Sequence, residues 1–167
     1  MTFRVRGAEP GDAERLVALA RDVGAEDEGW LITAGEWRSA SAERRYLKAI
    51  RRHPDAAVFV AEENGGIVGR LSVSRDVHPA SEHVADLGLM VAREHRRRGI
   101  GLALMEAAEE WARGVGVGKL ELHVFPHNRP AIALYEKLGY EREGLRRGHY
   151  RRGNDLLDAI LMAKVIR

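Results

Sequence analysis

The chain has 167 residues, 45% of them apolar, and no cysteine. That length fits one domain with a genuine core, while the missing cysteines exclude disulfides, thiolate metal sites and a cysteine nucleophile. Its 27 Lys and Arg nearly balance 25 Asp and Glu, no apolar run reaches the roughly 18 residues of a membrane helix, and MTFRVRGAEP lacks the apolar stretch of a signal peptide. These features predict a single cytoplasmic domain over residues 1–167, without membrane contact.

Phe3 and Val5 alternate with Thr2, Arg4 and Arg6, the period of a half-buried strand. Pro10 suits a first helical turn, and Leu16, Leu19, Ala20 and Val23 recur at helical spacing as far as Gly24. AEDEGWLITAGEW, Ala25 to Trp37, has no clean period. Its two tryptophans and four acids predict either a surface loop that contacts a ligand or, equally, tryptophans lodged on the core. The acids there favour a cationic ligand. Ser41 is the expected cap of a basic helix ending near His53-Pro54.

Ala56 to Glu63 and Gly66 to Asp76 are β-rich runs joined at Asn64-Gly65, which predicts an antiparallel hairpin. After an irregular HPASEH linker, Val84 to Ala92 is an apolar run of strand length, expected to be buried on both faces. There follow a helix from about Gly99 to Val115, a strand at 119–125, a helix from about Pro130 to Leu138 and two strands around Gly153-Asn154. The predicted order is βααβββαβαββ, a mixed α/β domain with a central, largely antiparallel sheet and no repeats or linker.

The basic residues cluster at 93–98 and 142–152. Nucleic acid is the reflex partner for such patches, but no recognition-helix, zinc-finger or aromatic-platform pattern accompanies them. A small polyanion suits them at least as well. In HRRRGIGLALMEAAEEWA, His95 to Ala112, the arginines precede a helix entrance opened by Gly99 and Gly101. A helix start has unpaired N–H groups and the positive end of the helix dipole. Glycines let an anion approach the backbone, and Arg96, Arg97 and Arg98 add charge. The pattern predicts a pyrophosphate site, against the plainer reading of a basic cap with glycines kept for packing. A Walker A loop is absent, since Leu102 and Ala103 follow Gly101, and Leu104 stands where a dinucleotide fingerprint needs its third glycine.

Arg96, Gly99 and Gly101 match the acyl-CoA signature of the GNAT family of N-acetyltransferases, and HNRPAIALYEKLGYEREG, His127 to Gly144, resembles that family's second block. The tail NDLLDAILMAKV looks like that of its amino-acid and protein-N-terminus acetylating branches. The resemblance implies a GNAT fold from about Phe3 to Val165, acetyl-CoA as co-substrate and an amine acceptor, either a small molecule or a peptide. It implies that the strands flanking the motif splay around the cofactor and that the pyrophosphate sits on amides around Arg97, Arg98, Gly99, Ile100, Gly101 and Leu102. The amide near Val91 would then meet the thioester carbonyl. Asn128 would bond the pantetheine arm, unless it caps the following helix.

With neither cysteine nor a GxSxG turn, direct attack by a bound amine is favoured over an acyl-enzyme. Tyr135 resembles the family's general acid. Asp86 lies where relatives often carry a glutamate base, with Glu82 as rival. His78, His83, His123 and His127 lack metal-ligand spacing, and no metal is predicted. Two rivals remain, a CoA-binding sensor that transfers nothing and a basic RNA-binding module. Homodimers are frequent among relatives, an analogy that leaves the oligomeric state open.

Overall fold

The computed structural model describes residues 2–32 and 37–167, so part of the irregular 25–37 segment, including its acid Glu36, lies outside the described residues. The elements follow the predicted order: β1 (Arg4–Gly7), α1 (Ala13–Gly24), α2 (Ala40–Arg52), β2 (Ala56–Glu63), β3 (Gly66–Arg75), β4 (Val84–Val91), α3 (Ile100–Val115), β5 (Lys119–Val124), α4 (Arg129–Lys137), β6 (Glu141–Arg152) and β7 (Asp155–Val165). Single 3-10 turns stand at Pro10–Asp12, Pro79–Ser81 and Arg93–His95. No helix among the described residues is long and apolar enough to cross a membrane.

The strands form one sheet in the order β1-β2-β3-β4-β5-β7-β6. Every pairing is antiparallel except β4 with β5. The β2–β3 hairpin turns at Asn64 and Gly65, with φ of 50° and 77°. Those left-handed values are the ones an Asn-Gly turn of the I′ type needs. One face of the sheet packs Leu71, Leu87, Leu120 and Leu122 against Leu104 of α3 and Ile132 and Tyr135 of α4. The other packs Val58, Val60 and Met90 against Leu16 of α1 and Leu47 of α2.

Two local expectations are corrected. The cap of α2 is Ser39, whose side chain accepts from the Ala42 N–H at 3.2 Å, and not Ser41, which lies inside the first turn and accepts from Arg45. Both serines precede the basic run, and the chain direction before the helix, not local spacing, selects between them. β4 is not buried on both faces: Ala85, Leu87 and Met90 are buried, whereas Asp86 and Gly88 are exposed. Helices α1 and α2 cover only part of their face, and the uncovered part lies over these two residues.

The seat of α3 on the sheet depends on Gly69 of β3. A Cβ there would lie 3.0 Å from Ile100 Cγ2 and 3.0 Å from Leu104 Cδ1, two fully buried side chains in the first turns of α3. Gly69→Val is therefore expected to lower unfolding free energy by about 1–3 kcal/mol, the usual cost of overpacking, measured by urea denaturation. Unchanged stability would show that α3 is not held to the sheet by this contact.

Candidate active site

The parallel pairing of β4 with β5 joins Val84 to Lys119, Ala85 to Leu120 and Asp86 to Glu121, and then stops, although the two strands run on to Val91 and Val124. A wedge-shaped gap opens beyond Asp86. The β4 groups that face it follow from the other ladder. Ala92 N–H donates to the Val68 carbonyl at 2.8 Å, and bonded and non-bonded pairs alternate along antiparallel strands. Leu89 and Val91, opposite Leu71 and Gly69, thus point their N–H and C=O groups away from β3 and into the gap. The Val91 carbonyl accepts from Arg96 Nε at 3.0 Å, while its N–H faces a space that β5 has vacated.

The turn into α3 stands at this gap. Arg97 and Gly99 both take left-handed backbone, with φ of 61° and 85°. The first helical bond runs from Ala103 N–H to the Gly99 carbonyl at 3.0 Å, so the amides of Ile100, Gly101 and Leu102 have no acceptor within the helix. A Cβ on Gly101 would lie 3.1 Å from Leu134 of α4 and 3.7 Å from Leu89 of β4. The absent side chain lets α3, α4 and β4 converge. The three arginines divide their labour. Arg96 holds Glu26 through both terminal guanidinium nitrogens, at 2.7 and 2.6 Å, and Arg98 holds Glu63 at 2.6 Å. Arg97 is exposed and makes no ion pair among the described residues. An anion at this turn would meet backbone amides and Arg97, with Arg96 bracing the strand beside it.

Asn128 is the cap of α4, its Oδ1 accepting from Ala131 N–H at 3.3 Å, which leaves its amide nitrogen to donate elsewhere. Tyr135 is buried on α4, 6.0 Å between ring centres from Tyr140, and its hydroxyl bonds no described residue. Burial pushes the Tyr135 phenol well above the usual tyrosine range, so it stays protonated at neutral pH.

On the other face of the sheet, beside the gap, an open cleft of about 400 Å³ is lined by Ser72, Asp86, Glu121, His123, Arg146 and Tyr150. Its mouth leaves the Asp86 surface exposed, but the walls displace much of the surrounding water. That desolvation, helped by the negative charge of Glu121 and opposed by Arg146, pushes the Asp86 carboxyl up to about 6. His123 Nδ1 and the Tyr150 hydroxyl are 2.5 Å apart. Burial, with Arg146 and His149 nearby, holds the His123 ring below the ordinary imidazole range. Burial and the Asp86 charge push the Tyr150 phenol up. Glu82 sits exposed in the turn before β4 and does not line the cleft.

Sequence reasoning missed Glu121, His123, Arg146 and Tyr150 as members of one site. The first two were signalled by the alternation of KLELHVF, which puts Glu121 and His123 on one strand face. Trp30 stacks on His127 at 5.7 Å and His127 on Phe125 at 5.5 Å, while Arg152 donates to the Gly29 and Leu31 carbonyls. This pins the segment after α1 against the entrance of α4, with Ile32 at the cleft rim. Of its acids, Glu26 and Glu28 pair with Arg96 and Arg93, while Asp27 is exposed. Trp37 lies beside the guanidinium groups of Arg38 and Arg70.

Residues 21–140 match the acetyltransferase (GNAT) family model, and the chain belongs to that family. The L-amino acid N-acetyltransferase AaaT of Escherichia coli is 32% identical over 125 residues, spanning 74% of this chain and 77% of the relative. The ribosomal protein bS18-alanine N-acetyltransferase of Escherichia coli is 39% identical over 75 residues, 45% of this chain and 51% of that one. A crystal structure of a GNAT-family acetyltransferase from Streptococcus pneumoniae superposes with a TM-score of 0.89 over 99% of this chain and 100% of its own, at 28% identity. The protein is thus an acyl-CoA-dependent acetyltransferase, and acetyl-CoA is its acetyl donor.

Gly99→Glu puts a carboxylate at the bare helix entrance and a Cβ on backbone at φ 85°. Acetyl-CoA affinity measured by calorimetry is expected to fall by about tenfold to a hundredfold for each charge-assisted bond lost. An unchanged affinity would move the anion site elsewhere.

Proposed function

We propose that the protein transfers an acetyl group from acetyl-CoA to the α-amine of a small molecule or peptide, by direct attack with both substrates bound. The observation that carries this reading is the adjacency of the β4–β5 gap, with its outward Val91 N–H, to a cleft floored by Asp86. Bound acetyl-CoA supplies an acetyl group activated as a thioester. Amides of the α3 entrance and Arg97 hold the pyrophosphate, and the Asn128 side-chain nitrogen is placed to bond the pantetheine arm. The Val91 N–H donates to the acetyl oxygen, where negative charge grows as the amine attacks.

Only a neutral amine has a lone pair to give, so a proton must leave an incoming ammonium. Asp86 accepts it, directly or through water. A carboxyl pushed up to about 6 is far better matched to an α-amine near pH 8 than to a lysine side chain at about 10.4. The new C–N bond forms as the C–S bond breaks, and the leaving sulfur needs a donor. The Tyr135 hydroxyl has no competing partner among the described residues and is protonated. With its pKa raised, it acts as a hydrogen-bond donor to the sulfur as charge develops, passes its proton only with bond breaking, and is reprotonated by the second proton that the attacking nitrogen sheds on becoming an amide.

Thiol release from acetyl-CoA across a panel of amines tests the reading. α-Amines are expected to outperform lysine side chains, and the reverse preference would defeat the assignment. No thiol release with any amine, despite acetyl-CoA binding, would make the protein a CoA-binding sensor.

Asp86 must be ionised to accept a proton, so kcat/KM is expected to fall as pH drops through about 6. Asp86→Asn should remove that break and lower kcat/KM at neutral pH by about a hundredfold or more, with a smaller deficit at high pH where free amine abounds. An equal loss at every pH would make Asp86 a binding residue. If instead His123→Gln removes the break, the base is His123.

Tyr135→Phe keeps the buried ring and removes only the donor. Turnover with saturating amine is expected to fall by about 10²–10⁴-fold while calorimetric affinity for acetyl-CoA is retained. Turnover within about threefold of wild type would show that Tyr135 only packs.

A further inference from the structure

The cleft carries charges of both signs, kept apart. Asp86 of β4 and Glu121 of β5 are register partners, so their carboxylates stand side by side on the floor. Arg146 of β6 lines the same cleft but makes no hydrogen bond or ion pair with any described residue. Of the other arginines of β6, Arg142 pairs with Glu136 and Arg152 with backbone carbonyls, while Arg147 and Arg151 are exposed and, unlike Arg146, do not line the cleft. Nothing described in the fold uses the Arg146 guanidinium, yet the fold places it with some care. In a flat sheet β6 would lie three strand spacings from β4, about 14 Å. The β6–β7 register instead jumps from Arg146–Ala159 to Tyr150–Leu157, with Gly148 at φ 55° and its N–H donated to Asp158. Bulges bend a strand and re-aim its side chains, and this one brings Arg146 and Tyr150 over the cleft. The field of Arg146 reaches Asp86 and His123.

We propose that Arg146 binds the carboxylate of a free α-amino acid whose ammonium group faces Asp86 and Glu121, making the acceptor a zwitterion and Arg146 the residue that selects it. This rests on the cleft being the acceptor site. Two acids and an unpaired guanidinium more than 4 Å apart leave room for a molecule with the complementary pair of charges, and an α-amino acid holds both within a few bonds. A guanidinium fork matches a carboxylate in shape as well as charge. A peptide N-terminus brings an amide where the carboxylate should be, leaving Arg146 unanswered. A polyamine would bring a second cation against it. The volume of about 400 Å³ suits a single amino acid.

The test compares the common L-amino acids with their carboxamides, and with dipeptides that begin with the same residue, by thiol release from acetyl-CoA. For the best amino acid, kcat/KM is expected to exceed that of its carboxamide and dipeptide by about tenfold to a hundredfold. The acid-over-amide preference is expected to collapse to about one in Arg146→Met, through KM for the acid, and to recover in part in Arg146→Lys. Equal use of acid and amide by the wild type would overturn the proposal while leaving α-amine acetylation standing, as would a preference that survives in Arg146→Met. Acetylation of polyamines or lysine side chains alone would overturn both readings, and so would the absence of thiol release with every amine.

Discussion

A parallel strand pair that lasts three residues is the constraint on which the rest of this molecule depends. β4 and β5 are held together at Val84 to Asp86 and are then carried apart, each still anchored on its outer side, β4 by β3 and β5 by β7. Backbone groups that a continuous sheet would have paired are left facing one another across a gap. Such groups are costly when buried without partners, so a gap of this kind persists where a ligand or water can satisfy them. Helices α3 and α4 both begin beside it, adding two positive helix ends. Asp86 sits where the strands part, the last paired residue and the first to face the cleft.

The ion pairs around the gap serve shape more than charge. Arg96 joins Glu26, beyond α1, to the Val91 carbonyl at the end of β4, and thereby ties the segment after α1 to the edge of the gap. Arg98 and His95 converge on Glu63 at the start of the β2–β3 turn. The basic cluster before α3 is therefore largely neutralised, and its remaining exposed cation, Arg97, stands on a strained left-handed residue beside Gly99. An anion drawn to this turn would meet oriented amides more than a pool of positive charge.

Features set by neighbours in sequence were legible and those set by distant partners were not. Asn64-Gly65 carries its turn in its own backbone preferences, the helices carry their periodicity, and the glycines of the α3 entrance announce a bare helix end. By contrast, Arg96 and Arg98 look alike on paper to Arg97, and only partners 70 and 35 residues away separate them. The acids at Glu26 and Glu28 read as a negative loop because their arginines lie in another part of the chain. Asp86 in an apolar run reads as a buried strand position until the sheet is seen to be uncovered there. Arg146 and Tyr150 could not be assigned to the site at all, because their place depends on a register jump in a twelve-residue strand that no local pattern marks.

That same jump bears on the exposed edge of the sheet. β6 is the last strand of the sheet, long and largely exposed, with no strand paired on its outer side among the described residues. Such an edge is a template for the strand of another copy. Here the ladder breaks between Arg146 and Tyr150, so an incoming strand would lose its register partway along, and exposed Arg147 and Arg151 flank the break. The bend that lies beside the cleft thus also interrupts the edge, so straightening β6 would lengthen the unbroken template as well as move Arg146 and Tyr150.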